Sequence, residues 1–216
     1  MERTDESRIA AVKEILGRTG ALLLDSHFVY TSGRHGSAYI NKDAVYPHTA
    51  DVSRLCFMMA SGFQDQGVEA VVGPALGGII LSNNTATAMR DLTGQNVLGV
   101  YAEKAAGGGF QFTRGYGDLV VGKRTLIVED LLTTGGSAND VVRLCRATGA
   151  EVVGLAVLAN RGSVTSEGVG GVPLRSLIDF EMTSTLEEDC GLCVAEIPID
   201  TRVGKGREYL RSKGLL

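Results

Sequence analysis

The sequence contains no tryptophan, only three histidines and no excess of positive charge. Its 21 Lys and Arg residues stand against 25 Asp and Glu residues, for a formal net charge of −4. Binding along nucleic acid requires a clustered excess of Lys and Arg that neutralises phosphates. The charge balance therefore argues against a nucleic-acid partner and leaves room for a small anionic substrate, which needs only a few local donors.

Long apolar runs are also missing. No stretch approaches the roughly 18 apolar residues that a membrane-spanning helix requires. The first eight residues are charged and lack the apolar core of a signal peptide. We therefore expect a cytoplasmic protein with no membrane partner. Apolar residues make up 44% of the 216 residues, which is typical of one domain with a buried core.

The four cysteines occur in two kinds of context. Cys56 and Cys145 lie in apolar helical patterns, which predicts buried thiols. Cys190 and Cys193 form a single C-x-x-C pair near the C-terminus. A zinc site would need a second pair or nearby histidines, and the last histidine in the sequence is His48. The sequence therefore favours a reduced thiol pair and no metal ligands from the protein, with zinc as the less favoured alternative.

Apolar runs of four to eight residues alternate with helical patterns along most of the chain, without an internal repeat. Strands are predicted over 27–31, 38–41, 69–72, 97–101, 125–128 and 151–159, and helices over 5–18, 49–66, 78–92 and 137–148. Such alternation predicts a mostly parallel sheet covered by helices on both faces. Ligands bind beyond the carboxyl ends of the strands in these sheets, so the loops after Val72, Tyr101, Val128 and Ala159 are expected to line one site.

The most informative segment is Leu126–Ser137, which reads LIVEDLLTTGGS. An apolar strand leads into the carboxylates Glu129 and Asp130, and a Thr-Thr-Gly-Gly-Ser turn then opens a helix. Gly135 and Gly136 let the backbone close around an oxyanion, to which the helix N-terminus presents N–H groups. Adjacent carboxylates can accept from the two vicinal hydroxyls of a ribose. The segment predicts a ribose 5-phosphate site, against the alternative of an ordinary capped strand–turn–helix.

This segment resembles the motif with which type I phosphoribosyltransferases bind phosphoribosyl pyrophosphate (PRPP). The resemblance implies an α/β fold in a single domain over residues 1–216. Its parallel-sheet core, flanked by helices, would span about 46–161, and a small hood would come from about 1–45 and 162–216. The family forms homodimers, so a homodimer is expected here.

The same resemblance implies roles for the motif residues. Glu129 and Asp130 would hold the ribose hydroxyls and belong to the catalytic set. The loop that wraps the 5-phosphate would consist of Leu132, Thr133, Thr134, Gly135, Gly136 and Ser137. Mg²⁺ is the expected cofactor, carried mainly by PRPP oxygens and water, because this ion dehydrates reluctantly.

Four further segments resemble the orotate-specific members of this family. The first, His27–His35 followed by Tyr39, is similar to the segment that covers the base and reaches toward PRPP. It implies orotate contacts for Arg34 and Tyr39 and a PRPP contact for His35. The alternative for this segment is a surface hairpin.

The second segment, Val72–Ile79, resembles the loop that binds pyrophosphate. The resemblance implies PRPP contacts for Ala75, Leu76 and Gly77, and a non-proline cis peptide between Ala75 and Leu76. Some members of the family carry a Lys in this loop. Because Gly77 stands here instead, binding must rest on backbone N–H donors.

The third segment, Tyr101–Phe110 running on to Arg114, resembles the mobile catalytic loop. Lys104 and Arg114 would neutralise charge on the departing pyrophosphate. The segment departs from the family pattern because it has no histidine and few basic residues. The catalytic role therefore falls on Lys104, helped by Arg114, and a disordered connector is the alternative.

The fourth segment, Leu158–Gly162, contains Arg161, which corresponds to the arginine that pairs with the orotate carboxylate. A guanidinium fork binds a planar carboxylate in a bidentate manner, and Thr133 is also expected at the orotate. We therefore expect transfer of the phosphoribosyl group from PRPP to orotate in pyrimidine synthesis. The alternatives are a phosphoribosyltransferase for adenine or xanthine, or a regulator that binds PRPP without catalysis.

Overall fold

The structure is a computed structural model that describes residues 2–180 and 182–216, with side chains described from residue 6 onward. The chain forms two compact units. The larger unit comprises Met1–Val12 and His48–Phe180, and the smaller unit comprises Lys13–Pro47 and Glu181–Leu216. The smaller unit is thus assembled from two segments that are distant in sequence.

The elements follow one another in a regular order. The helices are α1 (Glu2–Arg18), α2 (Thr49–Ser61), α3 (Gly77–Thr93), α4 (Tyr116–Val120), α5 (Gly136–Ala147), α6 (Gly191–Val194) and α7 (Gly206–Ser212). The strands are β1 (Leu22–Leu23), β2 (Phe28–Val29), β3 (His35–Gly36), β4 (Tyr39–Ile40), β5 (Ala70–Pro74), β6 (Leu98–Lys104), β7 (Phe110–Gln111), β8 (Arg124–Leu132), β9 (Glu151–Asn160) and β10 (Leu174–Asp179). Short 3-10 turns occupy Lys42–Ala44, Gln64–Gln66, Glu167–Val169 and Glu187–Asp189.

The larger unit is built on one six-stranded sheet with the order β10-β9-β8-β5-β6-β7. The five strands from β10 to β6 are mutually parallel, and only β7 pairs antiparallel at the edge. The β5–α3–β6 and β8–α5–β9 connections run in opposite directions along the sheet. Because such connections are right-handed, α3 and α5 cover opposite faces. The predicted α/β fold with a mostly parallel sheet is confirmed.

Two differences from the predicted elements bear on the site. Strand β8 extends to Leu132, four residues beyond the predicted end at 128, so Glu129 and Asp130 lie inside the strand. Residues 174–179, assigned to the hood from sequence, form the edge strand β10 and pair with β9. The edge position explains the missed strand, because its exposed polar residues interrupt the apolar run.

The smaller unit contains two antiparallel strand pairs, β1 with β4 and β2 with β3. Two isolated bridges join its N-terminal segment to its C-terminal segment: His27 pairs with Ile199, and His35 pairs with Thr185. The backbone therefore holds both histidines against the C-terminal segment. In the described part of the chain, no helix combines the length and hydropathy required to cross a membrane.

Candidate functional site

The candidate site lies at the carboxyl edge of the sheet in the larger unit. Parallel pairing places Val72 of β5 opposite Ile127 of β8, and Leu132 of β8 opposite Asn160 of β9. The loops that follow these three strands therefore leave the sheet at the same edge, as predicted for parallel α/β sheets.

The loop after β8 surrounds a cavity of about 130 Å³, lined by Glu129 and residues 131–138. Gly135 adopts a φ of +79°, and a Cβ at this position would lie 2.9 Å from Val164 Cγ1. Only glycine meets both constraints without strain. Helix α5 begins directly afterwards at Gly136, and the N–H groups of its first turn have no intrahelical acceptor.

Glu129 and Asp130 are both buried, with 7% and 6% of their surface exposed. They are held in β8 because the strand pairs with β9, where Glu129 lies opposite Val157. Of the two carboxylates, Glu129 is the one that lines the cavity. Glu129 Oε1 accepts a hydrogen bond from the backbone N–H of Asp130 at 3.0 Å. The ribose contacts of both residues remain predictions.

Arg161 lies against the phosphate loop. Its Nε donates to Thr133 Oγ1 at 3.1 Å, and its backbone N–H donates to Leu132 O at 2.9 Å. Gly162 permits this approach, because a Cβ there would lie 1.7 Å from Thr133 O. The side chain of Asn160 closes the following turn through hydrogen bonds to the N–H and C=O of Val164. The structure thus brings together two residues that the sequence analysis assigned to the orotate site.

The loop after β5 contains a cis peptide bond between Ala75 and Leu76, as predicted. The backbone N–H of Ala75 donates to Ala102 O on the neighbouring strand β6 at 2.8 Å. Helix α3 then begins at Gly77, and the Leu76 side chain is exposed. This loop presents backbone groups and carries no cationic side chain, in agreement with the sequence.

The segment after β6 forms an ordered hairpin in which Glu103 of β6 pairs with Gln111 of β7. Glu103 accepts hydrogen bonds from Thr113 Oγ1 at 2.7 Å and from Arg114 at 3.4 Å. These bonds hold the pKa of the Glu103 carboxyl below its ordinary value, the Thr113 hydroxyl having the largest effect. The neighbouring Tyr101 and Glu103 raise the pKa of Arg114. The guanidinium of Arg114 therefore has a carboxylate partner in the same segment.

Lys104 differs from Arg114 in its surroundings. Its side chain is exposed, and it forms no ion pair within residues 2–180 and 182–216. Because no carboxylate competes for its ammonium group, Lys104 is the more available cation of this hairpin for an anionic ligand.

The remaining candidate residues belong to the smaller unit. Arg34 donates through Nε to Ser184 Oγ at 3.0 Å and through a terminal nitrogen to Ser184 O at 2.6 Å. The Tyr39 ring stacks with that of Tyr30 at a centroid distance of 6.4 Å. His35 is fully buried, and its Nδ1 lies 2.9 Å from His27 Nε2. The PRPP contact of His35 remains a prediction, and the structure gives this ring other neighbours.

Comparison with known proteins agrees with this geometry. Residues 43–170 match the family model "Phosphoribosyl transferase domain". The chain is 37% identical to an orotate phosphoribosyltransferase from Pelotomaculum thermopropionicum, over 85% of this chain and 91% of that protein. It is 32% identical to an orotate phosphoribosyltransferase from Chlorobium phaeobacteroides, over 87% of this chain and 91% of that protein.

A solved structure supports the same assignment. The crystal structure of orotate phosphoribosyltransferase from Aeropyrum pernix superposes with a TM-score of 0.61 at 26% identity, covering 82% of this chain and 96% of that chain. The chain belongs to the orotate phosphoribosyltransferase family.

Residues 43–170, which match the phosphoribosyltransferase domain, include the loops after β5, β6, β8 and β9. A second cluster of polar side chains lies outside these residues. His27, His35, Cys190 and Cys193 lie together in the smaller unit, with their ligand atoms within 4.8 Å of one another. The expectation that the C-x-x-C pair lacks nearby histidines is therefore wrong. Both histidines precede the cysteines by more than 150 residues, so spacing alone did not connect them. The sequence contains three His and four Cys, so counting without regard to spacing shows enough ligands for zinc but does not identify these four.

The other two cysteines lie where the sequence predicts. Cys56 and Cys145 are free and buried in the helices α2 and α5. Burial raises the pKa of the Cys56 thiol to about 11 and that of the Cys145 thiol to about 12. Both residues are packing groups rather than nucleophiles.

Proposed function

We propose that this protein transfers the 5-phosphoribosyl group of PRPP to orotate, giving orotidine 5′-monophosphate and pyrophosphate. The observation that carries the proposal is the hydrogen bond from Arg161 Nε to Thr133 Oγ1 at 3.1 Å. It fixes a guanidinium beside the loop assigned to the 5-phosphate. The names of the relatives at 32–37% identity give independent support.

The charge of the base favours orotate over other nucleobases. Orotate carries a carboxylate, which an arginine fork binds through two parallel N–H···O bonds. Adenine, hypoxanthine and xanthine offer no carboxylate to Arg161. A site that holds an arginine for such a group favours orotate, because the other bases cannot form these two N–H···O bonds with its guanidinium.

The proposed mechanism needs no covalent nucleophile. Cleavage of the C1–O bond of PRPP develops oxocarbenium character on the ribose and negative charge on pyrophosphate. Glu129 and Asp130 hold the ribose hydroxyls, and the loop at 133–137 holds the 5-phosphate, so that the ribose is oriented toward the base. Lys104 stabilises the charge that develops on the leaving group. Closure of the hairpin that carries it excludes water from the reacting centre.

Mg²⁺ is the proposed cofactor, and the acidic residues at this edge fit it. Magnesium sites commonly use one or two carboxylates together with substrate phosphates and water. Glu129 lines the cavity after β8, with Asp130 next to it in the chain. When bound, Mg²⁺ neutralises charge on the pyrophosphate of PRPP.

We further propose a cytoplasmic homodimer that interacts with neither nucleic acid nor membranes. The net charge of −4 disfavours polyanions, and the relatives of this chain are named for a small-molecule substrate, orotate. Light scattering coupled to gel filtration tests the dimer. A mass of one chain, 22.7 kDa, would contradict it.

The decisive experiment is a base panel with PRPP and Mg²⁺, in which ultraviolet absorbance follows orotate, adenine, hypoxanthine, xanthine and uracil. We expect turnover of orotate alone. Turnover of another base would be consistent with the PRPP-binding role of the loop but would overturn the assignment of orotate as the base. Binding of PRPP without turnover of any base would favour a regulator. The Arg161→Lys variant serves as the matched control, because it keeps the charge and loses the fork.

A further inference from the structure

Four potential metal ligands converge inside the smaller unit. His27 Nε2 lies 2.9 Å from His35 Nδ1, 3.6 Å from Cys190 Sγ and 3.7 Å from Cys193 Sγ. Cys193 Sγ lies 3.3 Å from His35 Nδ1. His27, His35 and Cys190 are at most 2% exposed. The four atoms therefore surround one common, largely buried point.

These separations match the edges of a tetrahedral zinc site. With Zn–S bonds of about 2.3 Å and Zn–N bonds of about 2.0–2.1 Å, tetrahedral geometry places the ligand atoms roughly 3.3–3.8 Å apart. Of these four separations, three fall in this interval, and the fourth, the 2.9 Å between the two nitrogens, is shorter. Because Cys193 contacts His35 directly, the cysteines and histidines share one centre. A two-iron cluster would instead divide them between two metals.

The hydrogen bonds of the histidines orient lone pairs toward this centre. His27 Nδ1 lies 2.8 Å from Ile197 O, so Nδ1 carries the proton and Nε2 presents a lone pair. Without a metal, the contact between the rings requires His35 Nδ1 to donate. His35 Nε2 is then a buried acceptor, and it has no hydrogen-bond partner among the described residues. A metal ion bound between the rings takes both inward-facing nitrogens as ligands and needs no proton between them.

The backbone around the C-x-x-C pair favours a thiolate. Cys190 and Cys193 flank the start of the short helix α6, whose N–H groups of Leu192 and Cys193 donate to the Cys190 sulfur. Two thiolates around a divalent cation give a neutral centre, which suits a buried position.

We propose that His27, His35, Cys190 and Cys193 bind one structural Zn²⁺ ion. Four protein ligands fill a tetrahedral shell and leave no open position for water or substrate, which distinguishes this site from a catalytic zinc centre. The cluster also lies outside residues 43–170, where the phosphoribosyltransferase domain matches. The four ligands belong to none of the four loops at the carboxyl edge of the sheet.

The ion would hold together the two segments of the smaller unit. His27 and His35 come from its first segment, Lys13–Pro47, and both cysteines come from its second, Glu181–Leu216. Apart from the metal, backbone hydrogen bonds at His27, Val29 and His35, several side-chain hydrogen bonds and the packing of α7 on β2 join these segments. A cross-link between residues so distant in sequence restricts the unfolded chain strongly.

The first test is the metal content of the full-length protein, purified with a reductant and measured by inductively coupled plasma mass spectrometry. We expect about one zinc per chain. Cys193→Ser and His27→Gln should reduce this to near zero. Cys56→Ser is the matched control, since its buried thiol lies outside the cluster, and it should retain zinc. Full zinc content in the cluster variants would overturn the proposal.

A second test uses the wild-type chain and does not depend on whether the variants fold. After zinc is removed with a chelator under reducing conditions, Co²⁺ is titrated into the protein. We expect the intense visible bands of tetrahedral cobalt, a thiolate-to-cobalt charge-transfer band, and saturation at one equivalent. Absence of these bands would overturn the site. A Cys190–Cys193 disulfide that persists under the reducing conditions and prevents cobalt binding would also overturn it, in favour of a redox pair.

Hydrogen exchange locates the effect of the metal. Removal of zinc should accelerate amide exchange at residues 27–36 and 185–199 and leave helix α5 unchanged. Equal exchange with and without zinc would contradict a structural role. None of these readouts uses orotate or PRPP, so they are independent of the proposed transferase activity.

Discussion

Arg161 Nε and Thr133 Oγ1 lie 3.1 Å apart and join the loop after β9 to the loop after β8. The two residues come from neighbouring parallel strands, and Gly162 allows the loops to touch. A residue assigned to the base is thereby positioned by a residue assigned to the phosphate loop. Substitution of Arg161 therefore tests the contact between the two loops together with the contact to the base.

Replacing Arg161 by Lys should weaken orotate binding selectively. Lysine keeps the positive charge but cannot form a bidentate pair, and it loses the hydrogen bond from Nε to Thr133. Hydrogen bonds to charged groups contribute about 1.5–3 kcal/mol, so KM for orotate should rise roughly 10- to 100-fold. Steady-state kinetics with orotate and PRPP varied separately measure this. An equal rise in KM for orotate and for PRPP would show that Arg161 does not bind the base selectively.

Lys104→Ala should lower kcat more than Arg114→Ala. Lys104 is exposed and forms no ion pair in the described chain, whereas Arg114 contacts Glu103 at 3.4 Å. Loss of one preorganised charge at a developing anion costs roughly 10²–10³-fold in rate. Single-turnover kinetics and an orotate binding assay separate chemistry from binding. If Arg114→Ala were the more damaging change, the roles of the two cations would be reversed.

Asp130→Asn should reduce turnover severely without unfolding the protein. The amide keeps the size of the side chain within β8 but loses its negative charge. Weaker acceptance from the ribose hydroxyl should lower kcat/KM by about 10²-fold, which corresponds to about 2.7 kcal/mol. Circular dichroism and PRPP binding serve as controls for the fold. Near-normal activity would remove Asp130 from the ribose contacts.

Much of this site could be predicted from sequence because it is local in the chain. The segment from 126 to 137 contains its own strand, turn and helix start, so Gly135 and its cavity follow from contiguous residues. The cis bond at Ala75 was expected by resemblance and is present. Contacts and pairings between residues distant in sequence were harder to predict. Edge strand β10 has little apolar pattern, and the contact between His35 and Cys193 joins residues 158 positions apart.

The buried thiols provide a chemical test of the core. Burial raises the pKa of Cys56 to about 11 and that of Cys145 to about 12. At pH 8 both should remain protonated and resist iodoacetamide, because the thiolate is the reactive form. Mass spectrometry of tryptic peptides should show their labelling only after denaturation. Rapid labelling of either thiol in the native protein would contradict its position in the core.

The ion pair between Asp200 and Arg202 gives a pH-dependent contribution to stability. Asp200 is buried, and its carboxylate accepts hydrogen bonds from the side chain and backbone N–H of Arg202 and from Ser26 Oγ. The Arg202 side chain has the largest effect and holds the pKa of Asp200 below its ordinary value. Because the folded-state pKa is depressed, the stabilisation is present above the unfolded pKa of about 3.9 and is lost as the pH falls through the folded value.

Asp200→Asn should therefore lower the free energy of unfolding at neutral pH and have little effect in acid. Arg202 is 71% exposed, so solvent screening limits the expected loss to about 1 kcal/mol at pH 7. Urea unfolding between pH 3 and 7 measures the difference between the wild type and the variant. Asp65→Asn, at an exposed position, is the matched control and should show no such trend. A difference that stays constant down to pH 3 would assign the loss to packing or geometry instead of the carboxylate charge.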